Sequence, residues 1–165
     1  MSRPGLPRRR RLVINAAAAL FVVLVLGRIF LLEPITIASD SMSPQVSEGA
    51  HALLLKTHAT TTRPNTDDLV VFSAPDDGTI SLKRVIAVAG QEIAIIDGVV
   101  YVDGVRRLEP DIDPKAIDAT YFGPILVEPN TVFVLGDNRG PSIDSRDYGA
   151  VPLGNMRGRI LHVWN

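Results

Sequence analysis

Ser41 and Lys83 are residues that can do chemistry together only under narrow conditions. Ser41 lies in the run Ile37-Ala38-Ser39-Asp40-Ser41-Met42-Ser43-Pro44, and Lys83 in the apolar run Leu82-Lys83-Arg84-Val85-Ile86. A serine hydroxyl is a poor nucleophile unless a base stands within hydrogen-bond reach. No Gly-x-Ser-x-Gly elbow surrounds any serine of the chain, so the histidine-assisted arrangement built on that motif finds no support. A lysine serves as the base only when neutral, and at an unperturbed pKa near 10.4 roughly one lysine in 2,500 is neutral at pH 7. Bringing that pKa to about 7–8 takes about 3–5 kcal/mol of differential destabilisation of the ammonium, which burial among apolar groups supplies. On a strand, alternation sends Lys83 and Arg84 to opposite faces, so only one of them points at the core. The competing reading is two solvated charges on an edge strand. A serine–lysine hydrolase acting at a bilayer surface is therefore a reading of the whole constellation, not of either residue alone.

The element that would place Ser41 near a bilayer comes first in the chain. Arg3, Arg8, Arg9, Arg10 and Arg11 crowd the N-terminus, and Leu12 to Leu32 is apolar except for Asn15 and Arg28. As a helix rising about 1.5 Å per residue, that stretch reaches about 31 Å, against a hydrocarbon core of about 30 Å. Its charge-free centre, Ala16 to Gly27, also fits the apolar region of a cleaved secretory signal. Apolar residues resume after Arg28, whose guanidinium can snorkel to the interface, and no small-x-small site follows the centre directly. Both points favour an anchor. By the positive-inside tendency the arginines stay cytoplasmic, so everything after Leu32 lies outside. Ser41 is then nine residues past the last apolar position. The expected organisation is a basic cytoplasmic tail over 1–11, a transmembrane anchor over 12–32 and one extracytoplasmic domain over 33–165.

After Glu33-Pro34 the helical apolar pattern gives way to short runs separated by turn residues. Ala52-Leu53-Leu54-Leu55, Leu69-Val70-Val71-Phe72, Thr131-Val132-Phe133-Val134-Leu135 and Ile160-Leu161-His162-Val163-Trp164 read as strands, the last closing the sheet. Two Asp-Gly pairs, Asp97-Gly98 and Asp103-Gly104, flank Val99-Val100-Tyr101-Val102 and mark hairpins. The segment 57–66 reads as a polar loop, and 106–120 as an acidic excursion carrying Pro110 and Pro114. Long helical patterns are absent after residue 33, so the domain is expected to be mostly β. With no cysteine, disulfides and a thiol nucleophile are excluded. His51, His58 and His162 lack metal-ligand spacing. The formal net charge is −1 with the basic residues concentrated at the N-terminus, and a diffusely acidic body argues against nucleic acid as a partner.

Four blocks in order change the weight of the serine and the lysine. They are Ser39-Asp40-Ser41-Met42-Ser43-Pro44, Asp68-Leu69-Val70-Val71-Phe72, Leu82-Lys83-Arg84-Val85-Ile86, and Gly136-Asp137-Asn138-Arg139-Gly140-Pro141-Ser142-Ile143-Asp144-Ser145-Arg146. Behind an anchor, this succession closely resembles the bacterial type I signal peptidases, or leader peptidases, over most of the chain. The resemblance implies an N-terminal transmembrane helix followed by a signal-peptidase/LexA-like β domain. It implies Ser41 as nucleophile and Lys83 as general base, with the Ser39 hydroxyl and the Ser41 backbone N–H as the oxyanion hole. It further implies that Ser142 orients the lysine amine, and that Asp144 and Arg146 form a structural ion pair supporting that loop. Without the resemblance, Asp137-Asn138-Arg139-Gly140 reads as a turn or a metal loop, but its spacing is not that of an EF-hand. No metal or cofactor is called for. Against the family pattern, Asp40 stands where glycine or another small residue is usual, Gln45-Val46 replace Thr-Leu, Gly49-Ala50 replace Gly-Asp, and Ala89-Gly90-Gln91 replace Pro-Gly-Asp.

The resulting expectation is a single-pass plasma-membrane endopeptidase, monomeric, that cleaves signal peptides from exported precursors. Its partners are those precursors and the lipid bilayer. The family's preference for small residues at the first and third positions before the cut requires two shallow apolar pockets, expected near Ile35, Ile37 and Val85. Two rival readings stand beside it. One is a LexA-like self-cleaving serine–lysine protease, disfavoured by the anchor and by the lack of a DNA-binding module. The other is a catalytically impaired, membrane-anchored β domain that binds exported chains.

Overall fold

The computed structural model describes residues 8–56, 63–110, 112 and 121–164. His58, most of the expected polar loop and the greater part of the acidic excursion lie outside these residues. Helix α1 covers Arg8–Leu31. Leu32, the last residue of the expected anchor, belongs to strand β1 (Leu32–Thr36). The helix stops where it must, because the residue before a proline is pushed out of the helical region and Pro34 follows closely. Leu20, Phe21, Val22, Val23 and Leu24 of α1 are all exposed. Among the described residues no helix is long and apolar enough to cross a membrane.

The rest is mostly β, as expected. One sheet is formed by β1, β2 (His51–Lys56), β3 (Leu69–Ser73), β4 (Ile80–Val88), β9 (Thr131–Leu135), β10 (Val151–Pro152) and β11 (Met156–Trp164), in the spatial order β1-β2-β11-β3-β4-β9-β10. A second is formed by β5 (Glu92–Ile96), β6 (Val99–Val102), β7 (Val105–Arg106) and β8 (Phe122–Leu126), in the order β7-β6-β5-β8. Both Asp-Gly pairs make the expected hairpins. Asp97 and Gly98 have φ of 53° and 72°, and Asp103 and Gly104 have 52° and 73°. Positive φ at both central residues is the type I′ requirement, whose twist matches that of the flanking strands.

The last strand departs from the sequence reading. β11 begins at Met156 rather than Ile160 and lies between β2 and β3, inside the sheet rather than at its margin. Its pairing shifts register on both sides, between Ile160 and His162 against β2 and between Met156 and Gly158 against β3. Those shifts, with Arg157, Gly158 and Arg159 at its start, hide the strand from a pattern of strict alternation.

Three apolar clusters explain how the sheets carry the site. Val70, Phe72, Val85, Val132, Val134 and Val151 pack on one face of the first sheet. Ile86, Ile93, Val100, Phe133 and Leu135 join its other face to the second sheet. Strands β4 and β9 are therefore covered on both faces, which is why Val85-Ile86-Ala87 and Val132 to Leu135 are continuous apolar runs rather than alternating ones. The third cluster, Ile37, Met42, Val46, Ala50 and Ala52, fastens the segment between β1 and β2.

Candidate active site

Ser41 is held by its neighbour. Met42 is fully buried, so the residue after Ser41 is driven into the third cluster and leaves the serine half-exposed above it. The base of the segment is closed by Ile37 N–H donating to the Ala50 carbonyl at 2.9 Å and Gly49 N–H donating to the Ile37 carbonyl at 2.8 Å. Above that base, Ser43 N–H donates to the Asp40 carbonyl at 2.9 Å. From the far side, Asn138 donates its backbone N–H to the Ser41 carbonyl at 3.0 Å and its side-chain amide to the Asp40 carbonyl at 3.3 Å. The Oγ atoms of Ser39 and Ser41 are 3.2 Å apart, a hydrogen bond between the two hydroxyls.

Lys83 sits on β4, opposite Val70 of β3. It is 4% exposed, whereas Arg84, on the opposite face, is half-buried and grips Asp137 through Nε at 2.9 Å and Nη2 at 2.6 Å. Burial lowers the Lys83 pKa below its ordinary value, because the ammonium loses solvent. Asp144 opposes this, Arg146 adds to it, and Asp137 and Asp40 oppose it more weakly. The exposed carboxylate of Asp40, the residue that departs from the family pattern, thus both faces solvent and favours the ammonium of Lys83.

Both residues line one groove of about 500 Å³. Ile35, Ile37, Val71, Leu82 and Ile143 give it apolar walls, and Asp40, Asp76 and Asp77 stand among its polar groups. Ile35 and Ile37 are where the sequence placed the apolar pockets. Val85 is not: it is fully buried in the first cluster and absent from the groove lining. Val85 lies two residues along β4 from Lys83 and shares its face, but there Val70, Val132 and Val134 pack against it and close it off.

The loop after β9 backs the site. Asp144 is fully buried and accepts from the Gly136 N–H at 3.0 Å and from Arg146 Nε at 2.8 Å. Arg146 Nη2 also donates to the Arg139 carbonyl at 2.6 Å and to the Ser142 carbonyl at 3.2 Å. Asp144 and Arg146 are therefore an ion pair that clamps the loop 136–146. Asp144 also caps the short helix α2 (Ser145–Tyr148), with Asp147 reciprocating in a capping box. Ser142 is buried, and its Oγ has no hydrogen-bond partner among the described residues. Sequence reasoning did not single out Arg84, Asp137 as its partner, Tyr148 in the groove, or Gly136. The signal for Arg84 was its place beside Lys83 on a strand; for Gly136 it was the start of the Gly-Asp-Asn-Arg block.

Residues 9–165 match the sequence profile of the family described as signal peptidase, peptidase S26. The chain is 36% identical over 154 residues to a probable signal peptidase I-1 of Synechocystis, covering 86% of this chain and 77% of that protein. It is 30% identical over 163 residues to thylakoidal processing peptidase 1 of Arabidopsis thaliana, covering 91% of this chain but 47% of the relative, so it spans about half that protein's length. The solved structure of a signal peptidase I from Enterococcus faecalis aligns with a TM-score of 0.53 at 26% identity, over 61% of this chain and 98% of that one.

Proposed function

The chain belongs to the signal peptidase family, peptidase S26, and from that premise we propose that it removes signal peptides from exported precursor proteins with Ser41 as nucleophile and Lys83 as general base. The observation that carries this reading is a buried lysine and a serine pair on one groove. Lys83 is 4% exposed and depressed in pKa by desolvation, while Ser41 and Ser39 share a hydroxyl hydrogen bond 3.2 Å long.

In this reading neutral Lys83 takes the Ser41 proton as Oγ attacks the scissile carbonyl, then returns it to the leaving amine, and water releases the acyl-enzyme. The Ser39 hydroxyl and the Ser41 backbone N–H stabilise the oxyanion. Ser142 Oγ, buried and without a hydrogen-bond partner among the described residues, is a ready acceptor for the lysine amine. The Asp144–Arg146 pair keeps the loop behind both groups in place. Ile35 and Ile37 flank the groove where small substrate side chains would enter.

Helix α1, with its exposed Leu20, Phe21, Val22, Val23 and Leu24, is proposed as the anchor that holds the domain on the extracytoplasmic face of the plasma membrane. An apolar face left open on that scale needs a non-aqueous partner. Anchoring raises the effective concentration of the groove at the place where a precursor's cleavage region emerges.

Incubation with a precursor carrying an Ala-x-Ala site, followed by N-terminal sequencing of the product, tests the activity. Cleavage after that site, abolished when its alanines become leucines, is expected; a product cut elsewhere would remove the assignment. Protease added to right-side-out vesicles should remove the domain after Leu32, and full protection would overturn the orientation.

A further inference from the structure

A chain of charges runs from the second sheet into the loop behind Ser41. Arg139 is 4% exposed, and a guanidinium so buried is tolerated only when paired. Its Nη2 meets Glu109 Oε1 at 2.5 Å. Its Nε donates to the Gly136 carbonyl at 3.0 Å, and its own carbonyl accepts from Arg146. Glu109 follows β7 and is flanked by Arg107, whose Nε lies 3.4 Å from it and whose Nη2 pairs with Asp67. One carboxylate from the edge of the second sheet therefore neutralises the cation that grips the end of β9.

The peptide at Gly136 has no slack. A Cβ placed there would stand 2.1 Å from Ser142 Oγ and 2.7 Å from the Ser41 carbonyl oxygen. Any shift of that peptide moves groups that contact Ser41 and Ser142 directly. Arg139 with its counter-charge removed is drawn toward solvent, and its bond to the Gly136 carbonyl goes with it.

We propose that Glu109 is a positioning residue for the peptidase centre: through Arg139 it fixes the Gly136 peptide, and with it the alignment of Ser41 and Ser142. The proposal rests on the assignment of Ser41 as nucleophile. Glu109 touches no reacting atom, so its loss should alter turnover rather than substrate binding.

The test compares Glu109→Gln, Glu109→Asp, Arg139→Gln and the double variant Glu109→Gln/Arg139→Gln, made in the full chain in detergent micelles. The measurements are kcat, KM, the pH profile of kcat/KM on an Ala-x-Ala peptide, and Tm. Glu109→Gln should lower kcat about tenfold with KM within about twofold, the scale of a small misalignment of reacting groups, and should move the acid limb of the profile. Glu109→Asp should recover most of the rate. The double variant should be no worse than Glu109→Gln alone, because the two residues act as a unit. Wild-type kcat and profile in Glu109→Gln, or losses in the two single variants that simply multiply, would overturn the proposal. If Glu109→Gln fails to fold, Arg139→Gln and Glu109→Asp carry the same comparison. Ser41→Ala is run alongside: an inactive Ser41→Ala with an unaffected Glu109→Gln sinks only the role of Glu109, whereas an active Ser41→Ala sinks the nucleophile and this proposal together.

Discussion

Gly136 stands against Ser142 so closely that a methyl group at position 136 would lie 2.1 Å from Ser142 Oγ. The same group would lie 2.7 Å from the carbonyl oxygen of Ser41. The position is glycine because two segments of the site approach one another across it, not because of its own backbone angles. Gly136→Ala must push either the Ser41 segment or Ser142 away. We expect kcat/KM to fall by about 10²-fold, the scale of a 1 Å misplacement, and stability to fall by about 1–3 kcal/mol from overpacking. Peptide kinetics with urea denaturation of the same preparation checks both; an alanine variant with wild-type turnover would show that the contact is loose.

Lys83 makes the enzyme's stability depend on pH in a definite direction. Its folded pKa is depressed below the ordinary 10.5 by burial, so between the folded value and 10.5 the unfolded chain binds more protons, and stability rises with pH across that window. Below the window the full penalty of the buried ammonium is present. Lys83→Met should therefore be more stable than the wild type at about pH 6, with the difference shrinking as pH approaches 10.5. Urea midpoints at several pH values measure this, and a pH-independent difference would mean that the ammonium is solvated. With Lys83 as the proposed general base, activity should rise with pH through the same lowered pKa, since in that mechanism only the neutral amine can accept the serine proton.

How much of this was legible beforehand follows from which interactions are local. The Asp97-Gly98 and Asp103-Gly104 turns declare themselves because their backbone angles need those residues. The continuous apolar runs of β3, β4 and β9 likewise announce strands. Strands β1, β8 and β10 carry Pro34, Gly123-Pro124 and Pro152, residues that argue against a strand except at a sheet margin, and all three lie at the margins of their sheets. At the site, alternation along β4 is enough to separate Lys83 from Arg84. Nothing local reveals that Val85 joins the core rather than the groove, that Met42 anchors the Ser41 segment, or that Arg139 finds its counter-charge thirty residues away at Glu109. Those facts depend on how the two sheets pack, and a linear pattern does not contain them.

Arg146 should not be replaceable by another cation. Its guanidinium bonds both oxygens of buried Asp144, at 2.8 and 3.0 Å, and two backbone carbonyls besides. Arg146→Met leaves the Asp144 carboxylate buried without its partner, a change that costs about 3–5 kcal/mol. Arg146→Lys restores the charge but not the planar fork, so it should recover less than half of that loss. Thermal unfolding of both variants measures this. Full recovery with lysine would reduce the clamp to simple charge neutralisation.

Asp40 acts on Lys83 through its field. The carboxylate is exposed and raises the Lys83 pKa, as the weakest of the named influences. Asp40→Asn should therefore shift the acid limb of kcat/KM to lower pH in about 50 mM salt. In about 1 M salt, where the screening length falls to about 3 Å, the two proteins should coincide. An acid limb that does not move at low salt would show that Asp40 and the amine are electrically independent.

The central claim is that Ser41 and Lys83 together perform the cleavage. The most direct measurement compares wild type, Ser41→Ala and Lys83→Ala on one Ala-x-Ala precursor, with folding of each confirmed by its Tm. Each substitution should lower kcat by at least about 10³-fold, and the double variant should be little worse than either single one, because nucleophile and base work as a unit. Processing by Ser41→Ala or Lys83→Ala at the wild-type rate would contradict the account.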